Sequence, residues 1–137
     1  MITFTEDFYT YYTITLNSLE LPEKYESLSG TQTMTYDANG NMLTRTSGNI
    51  VTTYTYDKNK SPLYSCQTPK WYIVYLACRT EDIDEWTTFN NVTSYSSSLD
   101  GSKPTVVDFD LLYDSGYLSS SGIKDSYFKS EYSYFVK

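Results

Sequence analysis

The chain has 137 residues, a formal net charge of −7 and an aromatic content of 18%, and 16 of its residues are Tyr. That length predicts one domain with a single core. Nucleic acids and anionic membranes are bound through basic surfaces, so the acidic balance argues against both as partners. We find no apolar run long enough to span a membrane and no signal peptide after Met1, so the signal peptide of a secreted protein would have been removed.

The first half of the chain predicts strands. Apolar and polar side chains alternate in the second half of residues 8–16, as in a half-buried strand. Pro22 and the charged residues at 23–26 then predict a loop that closes at Gly30. Three further segments alternate in the same way and are separated by short turns: residues 31–36, 42–46 and 50–56. Together they predict an antiparallel meander.

The middle of the chain interrupts this pattern. We predict an insertion at about residues 62–91, irregular or with a short helix, that covers one face of the sheet. Residues 71–78 are continuously apolar, which leaves a buried strand and a short helix both open. Thr80 and the acidic residues after it predict a capped helical turn. Trp71 and Trp86 are interpreted as core side chains.

The sheet is expected to resume after the insertion. Strands are predicted at residues 92–97, 105–113 and about 126–136, with turns at residues 99–104, 114–116 and 119–122. In the second of these strands Val107 and Phe109 share one face, and Asp108 and Asp110 share the other. The fold class predicted for residues 1–137 is therefore a mainly all-β domain, either complete or a fragment of a longer secreted protein.

One turn motif recurs along the chain. Residues 36–43, 56–63 and, in a shortened form, 113–118 each begin with Tyr-Asp and contain a Leu after the turn. Asn39 followed by Gly40 tolerates the positive φ values of a tight hairpin, so hairpins are predicted there and near Gly116. The residues interpreted as structural in these turns are Asp37, Asn39, Gly40, Asp57, Asp114 and Gly116.

This motif resembles the YD repeat of bacterial RHS-type cell-surface proteins, and residues 36–41, preceded by Thr33-Met34-Thr35, carry the likeness. Residues 54–63, 90–94 and 113–117 together resemble a narrower group, the small secreted lipoproteins of Bacteroides-type bacteria, most of which have no assigned function. The resemblance implies an extracellular or cell-envelope location and, for long RHS proteins, carbohydrate binding or shell building. Three motif copies argue against a closed shell here.

The residues that carry chemistry in most enzymes are missing or committed elsewhere. The chain has no His, which removes His-based triads, imidazole general bases and most zinc or iron sites. Asp108 and Asp110 could in principle act as a glycosidase pair, but acids that alternate with apolar residues are typical of the solvent-facing side of a strand. We therefore predict no enzyme, no metal and no cofactor, and we interpret the chain as a noncatalytic module with a structural or protein-interaction role.

The alternative hypothesis is a carbohydrate-binding module with exposed Tyr rings. The candidates are Tyr54, Tyr56, Tyr132 and Tyr134, because side chains two apart on a strand project to the same side. Cross-strand aromatic packing is the competing use of these rings. The partners expected under the two hypotheses are a polysaccharide or another envelope protein, and open edge strands could also pair two copies into a homodimer.

Two smaller features stay open at this stage. Cys66 and Cys78 flank the most apolar segment, and they are either bridged or two small buried side chains. Asn91-Val92-Thr93 has the form of a glycosylation site, which we interpret as the start of a strand.

Overall fold

The structure is a computed structural model that describes residues 2–6, 10–80, 89–127 and 129–133. Within them, ten strands form one antiparallel sheet in which the spatial order follows the chain order. The strands are β1 Ile2–Glu6, β2 Thr10–Leu16, β3 Pro22–Ser27, β4 Gly30–Tyr36, β5 Met42–Ser47, β6 Ile50–Lys60, β7 Asn90–Leu99, β8 Thr105–Asp114, β9 Tyr117–Ile123 and β10 Lys129–Glu131, and the helix is α1 Lys70–Thr80. The predicted all-β meander with a short helical insertion is confirmed.

The segment that follows Pro22 corrects the sequence-based prediction, because it is strand β3 and not a loop. Pro22 occupies the first position of the strand, where the missing N–H does little harm to the ladder. Lys24 and Glu26 are two residues apart, lie on the same face and form an ion pair of 2.8 Å. Two of the charges that indicate a loop, Lys24 and Glu26, therefore lie on the solvent-facing side of a strand.

A second correction concerns residues 119–122, which were predicted to turn. They lie in β9, where Ser121 pairs with Leu111 and Gly122 with Asp110. Ser side chains can bond to the neighbouring strand instead of starting a turn, and the hydroxyl of Ser119 donates to a carbonyl oxygen of β8 (3.1 Å). The chain instead reverses one turn later, before β10, and the strand predicted at about 126–136 is described only as β10.

The apolar segment at residues 71–78 lies in α1, which decides between the two open alternatives. The helix begins after Pro69, whose carbonyl oxygen accepts from the N–H of Tyr72 (3.0 Å). Ile73, Val74 and Tyr75 are buried. The helix therefore covers the sheet with an apolar side.

The predictions for the residues around Trp71 and Thr80 had mixed outcomes. Trp71 is half-buried and packs edge-on against Tyr72, with ring centroids 5.6 Å apart. Thr80 is itself part of α1 and is the last residue described before the gap at residues 81–88. The rest of that predicted turn, with Trp86, lies outside the described residues.

The two faces of the sheet differ in chemistry. One face packs against α1, and its buried cluster consists of Leu21, Met34, Met42, Tyr54, Val74 and Val92. The opposite face, which we call the hydroxyl face, carries Thr and Ser side chains that pair across neighbouring strands. Thr35 bonds to Thr44, Thr53 to Ser96 and Thr55 to Ser94, each at 2.7 Å.

Candidate functional site

Three turns at one end of the sheet repeat the same hydrogen-bonding plan, and their first residues, Asn17, Asp37 and Asp57, are 20 positions apart. In the second turn one carboxylate oxygen of Asp37 accepts from the backbone N–H groups of Asn39 (2.9 Å) and Asn41 (2.8 Å). In the first turn the amide oxygen of Asn17 accepts from two N–H groups at the same offsets, at 2.9 and 3.0 Å. A side-chain oxygen that accepts from the following amides stabilises a turn without help from the rest of the chain.

The third turn is the same turn split open by the insertion. One carboxylate oxygen of Asp57 accepts from the N–H of Asn59 (3.0 Å) and then from the N–H of Asn91 (3.1 Å). Asn91 therefore takes the place of Asn41, and residues 60–90 stand where the second turn has Gly40 alone. The interpretation of Asn91 as the start of a strand is confirmed, since β7 begins at residue 90.

The second turn is also covered by the end of the insertion. Gly40 has a positive φ of 93°. A Cβ atom added there would lie 2.6 Å from the ring of Phe89. Gly40 is therefore required for backbone conformation and for the close approach of this ring.

The Tyr of each Tyr-Asp pair connects neighbouring hairpins. The hydroxyl of Tyr36 donates to the carbonyl oxygen of Pro22 (2.6 Å), and that of Tyr56 donates to the carbonyl oxygen of Met42 (2.8 Å). The hydroxyl of Tyr113 instead donates to the carboxylate of Asp57. Burial, followed by the nearby Tyr54 and Asp37, raises the pKa of Tyr56 far above its usual value, which keeps this hydroxyl protonated as a donor.

These Tyr bridges are needed because the hairpins diverge from each other toward the turns. Pairing between β5 and β6 stops at Thr44 and Thr53, so the strands separate beyond these residues. The space between them is a groove of about 450 Å³, which is within the usual size range of ligand pockets. It is lined by Asp37, Asn39, Asn41, Leu43, residues 54–58 and Asn90.

Most polar groups of the groove are already hydrogen-bonded. The carboxylate of Asp57 accepts from Asn59, Asn91 and Tyr113, and Asn41 donates to both Asp37 and Asn90 (2.9 Å each). The carboxylate of Asp57 is therefore held by the turns, whereas one carboxylate oxygen of Asp37 accepts only from the side chain of Asn41.

The four Tyr candidates are not brought together on an open surface. Tyr54 is only 8% exposed, so the expectation of an exposed ring is wrong for this residue. Tyr56 is half-buried and its hydroxyl already donates to the carbonyl oxygen of Met42, although Tyr54 and Tyr56 both line the groove. Tyr132 is half-buried with its hydroxyl 3.0 Å from that of Ser121, and Tyr134 lies outside the described residues.

Of the predicted turn residues, Asp37, Asn39, Gly40 and Gly116 lie between strands, whereas Asp57 lies within β6 and Asp114 ends β8. The fourth turn follows a different plan. Asp114 pairs with Tyr117, and the two residues between them, Ser115 and Gly116, have positive φ values of 51° and 85°. This is a two-residue hairpin loop in which no backbone cap by Asp114 is needed, and its carboxylate accepts from the hydroxyl of Ser115. The shortened motif is thus confirmed as a hairpin with its own geometry.

Asn91 is the counterpart of Asn41 in the third turn, but among the described residues it lacks the hydrogen bond that Asn41 accepts from the next hairpin. The amide oxygen of Asn41 accepts from the N–H of Asn90, in the next hairpin along the sheet (3.1 Å). Asn91 is 2% exposed, and its amide oxygen has no hydrogen-bond partner in the described part of the chain. The shorter loop at residues 115–116 supplies no equivalent N–H.

Sequence reasoning missed the first turn and the role of Asn91. The first turn lacks the Tyr-Asp signature, and only its spacing of 20 residues from Asp37 could have identified it. Among the cysteines, Cys66 carries a free thiol, so it forms no bridge with Cys78, and its hydrogen bonds with Thr68 hold the pKa of this thiol below its usual value.

Comparisons with known proteins do not assign the chain. No protein-family model matches it, and no curated protein is significantly similar. The resemblance to the YD repeat therefore stays a prediction. In the described residues, no helix is long and apolar enough to cross a membrane.

Proposed function

We propose that this chain is a noncatalytic β-sheet module of an extracellular or cell-envelope protein, with a structural or protein-contacting role. The proposal rests on one observation: the residues that recur in the Tyr-Asp motif have structural roles in the sheet. Asp37 and Asp57 cap turns, and Tyr36, Tyr56 and Tyr113 connect neighbouring hairpins. The residues that recur in the sequence hold the sheet together.

The surface we assign to protein contact is the hydroxyl face. Helix α1 covers the other face, and Thr33, Thr35, Thr53 and Thr55 are exposed on this one. Short hydroxyl side chains present a flat surface that a partner can approach closely. Strands β1 and β10 are the outer strands of the sheet in the described residues, and their edges would allow two copies to pair, as a second form of the same role.

A screen for turnover tests the noncatalytic part of this proposal. The purified chain is incubated with chromogenic glycosides, esters and phosphoesters, and we expect hydrolysis at the rate of buffer alone. Turnover that co-purifies with the chain and is lost in Asp57→Asn, while circular dichroism stays unchanged, would overturn it. Asp100→Asn serves as the control for an exposed carboxylate in a turn at the opposite end of the sheet.

Carbohydrate binding is the second candidate function, and the groove between β5 and β6 favours it. Sugars are bound by planar polar side chains together with apolar surface, and the groove offers Asn and Asp side chains beside Leu43, which is 41% exposed. This site differs from the exposed Tyr rings that the sequence predicts for carbohydrate binding. It places the binding groups in the turns.

A further inference from the structure

The geometry points to the groove between β5 and β6 as a site for one ring of a neutral saccharide, bound through neighbouring hydroxyl groups by Asn39, Lys58 and Asp37. This inference rests on carbohydrate binding, the second candidate function. It names the residues and the ligand class of that site.

The first step is to separate the polar groups that are committed from those that are available. Asn41, Asn90 and the carboxylate of Asp57 are bound to each other or to the turns. The side chains of Asn39 and Lys58 are exposed and make no hydrogen bond or ion pair with the described residues. They are therefore available to a ligand.

The carboxylate of Asp37 can still accept a further hydrogen bond. One carboxylate oxygen accepts the two backbone N–H groups of the cap, and the other accepts only from the side chain of Asn41. A carboxylate oxygen has two lone pairs, so one acceptor position remains. The carboxylate is held rigid by the turn, which reduces the entropy cost of binding.

These available groups set the chemistry of the ligand. Lys58 only donates, the Asp37 carboxylate only accepts, and the Asn39 amide does both. A hydroxyl group also donates and accepts, so two neighbouring hydroxyls can satisfy all three side chains at once. A carboxylate on the ligand would be repelled by Asp37 and Asp57, which favours a neutral ligand.

The size of the groove and its apolar wall fit the same ligand. A volume of about 450 Å³ accommodates one or two pyranose rings and little more. Leu43 stands on one wall, opposite the strand that carries Tyr54 and Tyr56. The C–H groups of a sugar ring can pack there while its hydroxyls reach the turns.

The test is an NMR titration of the ¹⁵N-labelled chain with methyl β-glucoside, methyl β-galactoside and methyl α-mannoside. We expect at least one glycoside to give saturable shifts in the amides of residues 37–43 and 54–58. Asn39→Ala and Lys58→Ala should each weaken binding about fivefold, the change produced by one lost hydrogen bond. The controls Asn49→Ala and Lys103→Ala, exposed at the opposite end of the sheet, should leave binding unchanged.

Two other results would overturn the inference in different ways. Saturable shifts confined to other positions, such as the exposed rings of Tyr72 or Tyr117, would move the site and keep carbohydrate binding. No saturable shift with any of the three glycosides would remove carbohydrate binding altogether. The structural module would then stand alone.

Discussion

The second and third turns share one plan and differ in what they enclose. In both, an Asp carboxylate accepts from the N–H two residues later and from the N–H of an Asn at the start of the next strand. The second turn closes with Gly40 alone, whereas the third contains the whole insertion. The cap distances differ by no more than 0.3 Å. The cap therefore depends on the Asp and its two donors, and hardly on the length of the loop.

The insertion gives the sheet something that the repeated hairpins lack. A single-layer sheet has no second layer against which to bury its apolar face. Helix α1 provides that layer through Val74, which joins the buried cluster of the sheet, and Phe89 packs on Gly40. The third turn is thus where a regular array becomes a domain with a core.

Gly40→Val should produce the largest loss of stability and breaks the second turn directly. The new side chain meets the Phe89 ring and an unfavourable positive φ, so we expect the free energy of unfolding to fall by about 3 kcal/mol. Gly48→Val is the matched control, because Gly48 also has a positive φ but has open space around it, and should cost about 1 kcal/mol. Urea denaturation measures both, and equal or reversed losses would contradict the role of Phe89.

Asp57→Ala tests whether the split turn depends more on its cap than the intact turn does. The substitution leaves the donors of Asn59, Asn91 and Tyr113 without an acceptor. We expect a loss of about 3 kcal/mol, compared with about 1.5 kcal/mol for Asp37→Ala, whose turn is also closed by Gly40. If Asp37→Ala proves the more damaging variant in the same denaturation series, the cap does not hold the insertion in place.

How much of this arrangement the sequence could predict depends on how local each signal is. The alternation in β4, β5 and β6 and the glycine turns are local, so the meander and two hairpins were predictable. The cap at Asn91 joins residues 34 positions apart and requires the insertion to return to its starting point. The burial of Tyr54 likewise depends on α1, which covers that face only after the chain has folded.

The first turn and β3 show a different limit. The charged residues of β3 indicate a loop when the sequence is considered alone, whereas Lys24 and Glu26 lie on one face of a strand. The first turn carries Asn17 in place of Asp and Glu20 in place of Gly40. The first turn therefore forms the same side-chain cap as the second turn, although its sequence lacks the Tyr-Asp signature and the glycine.

Tyr56→Phe removes one bridge between hairpins and should cost about 1 kcal/mol at neutral pH. Its effect also has a definite pH dependence. Because burial raises the pKa of Tyr56 in the folded chain, its contribution is fully present below the unfolded value of about 10 and is lost as the pH rises beyond it. Above pH 10 stability should therefore fall less steeply in Tyr56→Phe, by at most about 1.4 kcal/mol per pH unit.

The control for this pH series is Tyr127→Phe, since Tyr127 is fully exposed. Denaturant midpoints measured between pH 8 and about 11, across the unfolded pKa of Tyr, separate the two variants. A slope in Tyr56→Phe that matches the slope of Tyr127→Phe would show that the Tyr56 hydroxyl is not buried as a donor.

Glu20→Gly should give the smallest effect, and it is the one substitution expected to stabilise the chain. Glu20 holds the position of Gly40 in the first turn and has a positive φ of 58°, a conformation that costs a residue with a Cβ about 1 kcal/mol. The Gly variant lacks this strain, but its unfolded chain has more conformational entropy, which offsets about half of the gain in stability. We expect a net gain of about 0.5 kcal/mol. Glu23→Gly, at an exposed position of β3 with no positive φ, should instead lose stability. If both variants lose equally in thermal and urea denaturation, the left-handed residue is not strained, and the first turn is closed by its Asn17 cap alone.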